Sequence, residues 1–165
     1  MKSTAAIAAS AAIAALALVS LPPSDVRLVW NRTVSAPKGL YLVAKSKVNV
    51  GDWAVLSADA ASAQWIANNG YLGPDWPIIK RVAASEGDEI CRSDNEVSIN
   101  ENLAAIALDA DSTGRKLPRW QGCFTLGNSE VFLLNNHPRS LDGRYFGWEN
   151  RKDLLGRARL LFRTN

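Results

Sequence analysis

After residue 24 the chain never keeps one periodicity for long: short apolar runs are cut repeatedly by turn-forming residues, and this punctuation restricts the fold more than any other feature. "DVRLVWNRTVS" and "GLYLVAK" predict two strands around a turn at Ser35, and "VGDWAVLS" predicts a third. "WPIIKRVAAS" predicts a buried strand that stops at "EGDE". "EICRSDNEVSIN" reads as a hairpin with Ser93 to Asn95 at its tip, and "LAAIALDADSTGRKLP" holds a further turn around "DADSTG". "EVFLLNN" and "ARLLFR" complete the strands. One helix is expected, in "SADAASAQWIANNG", with Ser57 as its N-cap and Gly70 just past its end. The pattern predicts a mainly β domain, an antiparallel barrel or sandwich with one or two short helices.

The N-terminus differs in kind. Lys2 precedes "TAAIAASAAIAALALVSL", residues 4–21, which is uncharged and then broken by "PPS". As a helix it would extend about 27 Å, close to the hydrocarbon thickness of about 30 Å. Two readings stand: an uncleaved anchor, or a signal peptide with "ALA" at 15–17 as its small-residue cleavage site. Either exports the remaining chain, so residues 1–21 are assigned as anchor or signal and 22–165 as one exported domain. That length suffices for one core.

Nineteen basic against 16 acidic side chains give +3, too little to argue for a nucleic-acid partner. Arg151, Lys152, Arg157, Arg159 and Arg163 alternate with apolar residues and read as the solvated side of a final strand, against a lipid- or partner-binding patch. Six tryptophans are expected mainly as packing anchors. Cys91 and Cys123 are the only cysteines, and an oxidising compartment favours a disulfide between them over two buried thiols. Their spacing and the single histidine, His137, leave no zinc or C-x-x-C redox site, so neither metal nor cofactor is expected.

Ser35 lies in "SAPKG", either an ordinary loop serine or a nucleophile. His137, in the polar "NNHPRS", reads more naturally as a surface residue than as its base. Lysine also activates serine, but at its ordinary pKa only about one amine in two thousand is neutral at pH 7. A lysine base must therefore be desolvated. Lys80, between "WPII" and "RVAA", is the lysine in the most apolar strand; the alternative is an edge-strand lysine reaching water.

The serine turn "SAPKGLY", then "GYL", "PIIKRVAASEGDEIC", "DSTGRKLPRWQGC", "EVFLLN", "SLDGRYFG" and "LLGRARLLF" resemble the type I signal peptidases, and most closely their conjugative-transfer branch, over roughly residues 28–162. The resemblance implies a signal-peptidase-like β fold and a membrane-associated serine endopeptidase of a type IV secretion system. It makes Ser35 the nucleophile and Lys80 the general base. Ser140 becomes the hydroxyl that orients the amine, and Thr33 a donor to the oxyanion. Asp142 and Arg144 become a supporting charged pair, or a salt bridge and nothing more. It further implies a membrane-bound propilin or preprotein as substrate, pilin cyclisation in that branch, and an inner-membrane location with the catalytic domain in the periplasm (after signal cleavage, soluble there). A non-catalytic assembly partner of the transfer pore and a general signal peptidase are the alternatives. Three positions depart from the family pattern: Ala36 replaces a methionine, Glu86 a proline, and Gly143 a frequent serine.

Overall fold

The computed structural model describes residues 26–164, and the expected anchor or signal segment at 1–21 lies outside them. β1 (Val26–Asn31), β2 (Gly39–Ala44), β3 (Trp53–Leu56), β4 (Ile78–Ala84), β9 (Glu130–Leu133), β10 (Glu149–Asn150) and β11 (Leu154–Arg163) form one sheet in the order β1-β2-β11-β3-β4-β9-β10. A smaller sheet runs β7-β6-β5-β8, from β5 (Glu89–Ser93), β6 (Glu96–Ile99), β7 (Asn102–Ile106) and β8 (Gly122–Thr125). All the pairings within them are antiparallel. Two helices, α1 (Ala61–Asn68) and α2 (Gly143–Phe146), complete a mainly β fold of the expected class. No helix among the described residues is long and apolar enough to cross a membrane.

Packing follows strand alternation. In β4, Ile78 and Val82 face α1 and join Ala54, Leu56, Ala63, Ile66, Val131 and Leu133 in one apolar cluster. Ile79 points the other way, into a second cluster with Tyr41, Val43 and Val55. A third cluster joins the sheets: Ala84 and Phe132 from the larger one meet Ile90 and Val97 from the smaller.

The ends of α1 show why local sequence is half a guide. Ser57 is not the N-cap. Its hydroxyl accepts from the Asp59 N–H at 3.2 Å and donates to Asp59 Oδ2, closing a turn upstream, while Ala60 occupies the cap without a side-chain bond. The other end is as expected: Gly70 donates to the Ala67 carbonyl and Tyr71 to the Ile66 carbonyl, the paired bonds of a Schellman stop.

The hairpin of β5 and β6 turns at Asp94–Asn95, since Ser93 and Glu96 still pair. β6 and β7 turn at Asn100–Glu101, both at positive φ as a tight primed turn requires. β5 and β8 set Cys91 opposite Cys123, and the two are joined in a disulfide. The thiols near Glu89 are thus consumed in that bond and unavailable to a metal. In β11, exposed Arg157 and Arg159 flank buried Ala158, the solvated face expected of a final strand.

Candidate active site

The loop between β1 and β2 owes its shape to a residue whose role was not legible in the sequence. Asn31, 8 % exposed at the end of β1, donates through Nδ2 to the carbonyls of Thr33, Ala36 and Pro37 at 3.0–3.1 Å. Its Oδ1 accepts from the Thr33 amide and hydroxyl. The buried Tyr41 hydroxyl adds a 2.7 Å bond to the Pro37 carbonyl. One amide side chain thus ties the loop together and leaves Ser35 half-buried at its tip, its Oγ 3.4 Å from Thr33 Oγ1. The Thr33 proton is given to Asn31 at 2.8 Å. Ala36, where the family pattern has a methionine, is buried at 4 % exposed.

Lys80 lies on the α1-facing side of β4 between Ile78 and Val82, opposite the fully buried Ala54 of β3. It is 5 % exposed, and does not snorkel to water. Burial, which penalises the ammonium form, lowers its pKa to about 8; the nearby Asp142 charge opposes the shift and Arg144 adds to it. Nζ donates to Ser140 Oγ at 2.9 Å. Among the described residues no direct hydrogen bond links Nζ to Ser35 Oγ, but both side chains line one cleft of ≈190 Å³, with Ile66, Tyr71, Leu72 and Leu141 as its apolar wall.

The segment carrying Ser140 is braced by a buried ion pair. Arg144 Nε donates to Asp142 Oδ1 at 2.8 Å, with both side chains at most 3 % exposed. Arg144 also donates to the carbonyls of Pro138 and Asn135, and Asp142 Oδ2 accepts the Asn135 amide. Asn135 closes the circuit on β4: its Oδ1 accepts the Arg81 N–H at 2.9 Å and its Nδ2 donates to the Ile79 carbonyl, on either side of Lys80. The pair is therefore structural in its contacts, and what it holds is the partner of the lysine.

Two further observations explain parts of the sequence. A Cβ at Gly143 would lie 2.6 Å from the Phe132 ring and 2.8 Å from the Leu133 carbonyl, so the frequent serine does not fit this packing. In the "DSTG" turn, Asp111 accepts from the amides of Thr113 and Arg115 and from the Tyr71 hydroxyl at 2.7 Å, while Arg115 lies over the Tyr71 ring. That turn thereby fixes one wall of the cleft. His137 borders the cleft too, but its Nδ1 accepts the Arg139 amide.

A buried amine bonded to a hydroxyl and a half-buried serine at the tip of a tied loop thus share one cleft. Residues 1–163 match the family described as signal peptidase, peptidase S26, and the chain belongs to that family. Among curated proteins it is similar to two plasmid transfer proteins TraF of Escherichia coli, each 35% identical, one over 136 residues covering 76% of this chain and 77% of the relative, the other over 135 residues covering 75% and 76%. It is also similar to the conjugal transfer protein TraF of Agrobacterium fabrum, 32% identical over 144 residues covering 80% of each. The resemblance to the conjugative-transfer branch of the family thus extends over most of the chain. A solved signal peptidase I from Enterococcus faecalis aligns with a TM-score of 0.38 and 18% identity, covering 72% of this chain and 100% of that one.

Proposed function

We propose that the protein is a membrane-associated serine endopeptidase of a conjugative transfer system that processes a propilin or preprotein through a Ser35–Lys80 acyl-enzyme. The observation that carries this reading is the amine of Lys80: buried, held by Ser140, and with a pKa lowered to about 8 in the cleft it shares with Ser35. At that pKa about one amine in ten is neutral at pH 7, a few hundred times more than for an ordinary lysine. Neutral Nζ takes the Ser35 proton as Oγ attacks the scissile carbonyl carbon. The oxyanion is received by the Ser35 N–H and by the Thr33 hydroxyl, which exchanges Asn31 for it. Lys80 then passes the proton to the leaving amine as the peptide C–N bond breaks, leaving a Ser35 ester. Water resolves the ester to a linear product, or the substrate's own N-terminal amine closes a cyclic pilin. In this reading the chain is held at the inner membrane by residues 1–21, with its domain in the periplasm, where enzyme and membrane-bound substrate are concentrated together.

The names of its relatives support the transfer context. The test is processing of the candidate pilin by Ser35→Ala and Lys80→Met, each checked for an intact fold by circular dichroism. Both are expected to abolish it, and mass spectrometry of the wild-type product separates a linear chain from one lighter by a water. Mature pilin in the presence of folded Lys80→Met refutes the assignment and leaves the non-catalytic pore component as the better account.

A further inference from the structure

Ser35 borders two clefts, and Lys80 lines only one of them. Alternation in β4 makes the division, sending Lys80 to the α1 side and its neighbour Arg81 to the other. The second cleft, ≈580 Å³, runs from Ser35 past Trp53 and is bordered by Lys38, Arg81, His137 and Arg163. No residue lining it is acidic. In a chain whose acids nearly match its bases, 16 to 19, three permanent cations without a carboxylate depart from even mixing. Among the described residues no salt bridge engages Lys38, Arg81 or Arg163. Two of the three are placed by contacts of their own. Arg81 is the cross-strand partner of Trp53 and lies 5.5 Å over its ring. The Lys38 carbonyl accepts the Thr164 amide, drawing the end of β11 and Arg163 against the loop that follows Ser35.

An extended peptide crossing Ser35 lays one side of the scissile bond in each cleft. Both clefts carry cations and neither is lined by an acid, but the walls differ in balance: Ile66, Leu72, Ile78 and Leu141 dominate the Lys80 side, where the cations are Lys80 and Arg139, whereas Lys38, Arg81 and Arg163 gather on the other. We infer that the second cleft receives a substrate carboxylate, so that the enzyme selects peptides with small apolar side chains on one side of the cut and an acidic group on the other. This rests on Ser35 being the nucleophile. A carboxylate supplied by an acidic side chain and one supplied by a free C-terminus share the chemistry, and the test separates them. The three cations face solvent, so each contact is worth a factor of about 1.4 to 5, and together they are expected to give about tenfold.

The test measures binding without turnover, using the full-length Ser35→Ala protein in detergent micelles and fluorescence anisotropy. The probes are labelled Ala-Ala-Ala-Ala-Gly-Glu-Gly-Glu and the same peptide with Gln for Glu, each with a free or an amidated C-terminus. The acidic peptides are expected to bind about tenfold more tightly than the neutral amide, with the preference falling to about twofold or less in 1 M salt. Arg81→Gln with Arg163→Gln is expected to remove it. A preference kept by the amidated Glu peptide assigns the side chain, and one confined to the free terminus assigns the terminal carboxylate. Equal binding of all four peptides, no binding of any, or a preference that survives the double substitution overturns the inference. None of these outcomes touches the peptidase assignment, which stands or falls on processing by Ser35→Ala and Lys80→Met.

Discussion

Lys80 ties rate and stability to the same proton. If its neutral amine is the base, kcat/KM should rise with pH and level off above about 8, because the protonated fraction is inactive. A rate that does not change with pH through 8 would rule out Lys80 as the base. Stability has its own signature. The pKa is lowered on folding from 10.5 to about 8, so between those values the unfolded chain binds the extra proton and the folded one does not. Folding stability therefore rises with pH across that window, the penalty of burying the amine being complete below 8 and gone above 10.5. Each pKa unit is worth about 1.4 kcal/mol, so wild type should gain on Lys80→Met by roughly 3 kcal/mol from pH 8 to 10.5, measured by urea titration at stepped pH. Identical slopes for the two proteins would mean that the amine is hydrated. At this scale the sequence was informative because a charged residue inside "WPIIKRVAA" has few bland explanations. Asn31 and Asn135 were not legible, since an asparagine's value lies in backbone groups that only the fold brings to it.

Elements, more than single side chains, hold Ser35 and Lys80 in place. The β1–β2 loop depends on Asn31, so Asn31→Asp, of nearly the same shape, replaces three donated bonds with an acceptor facing carbonyls. We expect a loss of about 2–4 kcal/mol, read by thermal unfolding, and slower processing by the protein that remains folded. α2 makes the opposite case. Gly143→Ser restores a residue common in the family, yet here it should destabilise by about 1–3 kcal/mol, because the Phe132 ring and Leu133 carbonyl occupy the space. If unfolding midpoints for Gly143→Ser match wild type, the packing of Phe132 on α2 is looser than described. Apolar, β-branched runs such as those of β2 and β4 announced themselves in the sequence, whereas β8, β10 and α2 were not placed. Length alone does not separate them, since β3 and β9 are also four residues long; those two are largely apolar runs, WAVL and EVFL, whereas β8 is GCFT and pairs beside β5.

Across the whole molecule the two sheets are separate ladders with a shared core, and the disulfide belongs to the smaller one. Replacing Cys91 and Cys123 by serine opens a loop of sequence separation 32, which should cost about 3–4 kcal/mol on the chain-entropy account, checked by denaturant titration. That the cysteines pair was foreseeable from their number and the export expected of the chain. The position of the bond relative to the site was not, because the crossing between sheets is made by side chains far apart in sequence. Arg92, on the strand that carries Cys91, donates at 2.6 Å to the Arg144 carbonyl. Trp120, three residues before Cys123, donates at 3.0 Å to the Gly143 carbonyl. The scaffold under Ser140 is therefore guyed from the oxidised half of the protein. A newly made chain whose thiols have not yet joined would hold its lysine on a slack tether. Activity would then ripen only after delivery to an oxidising compartment, and pulse-labelled protein trapped with a thiol alkylator should cleave slowly beside its matured counterpart.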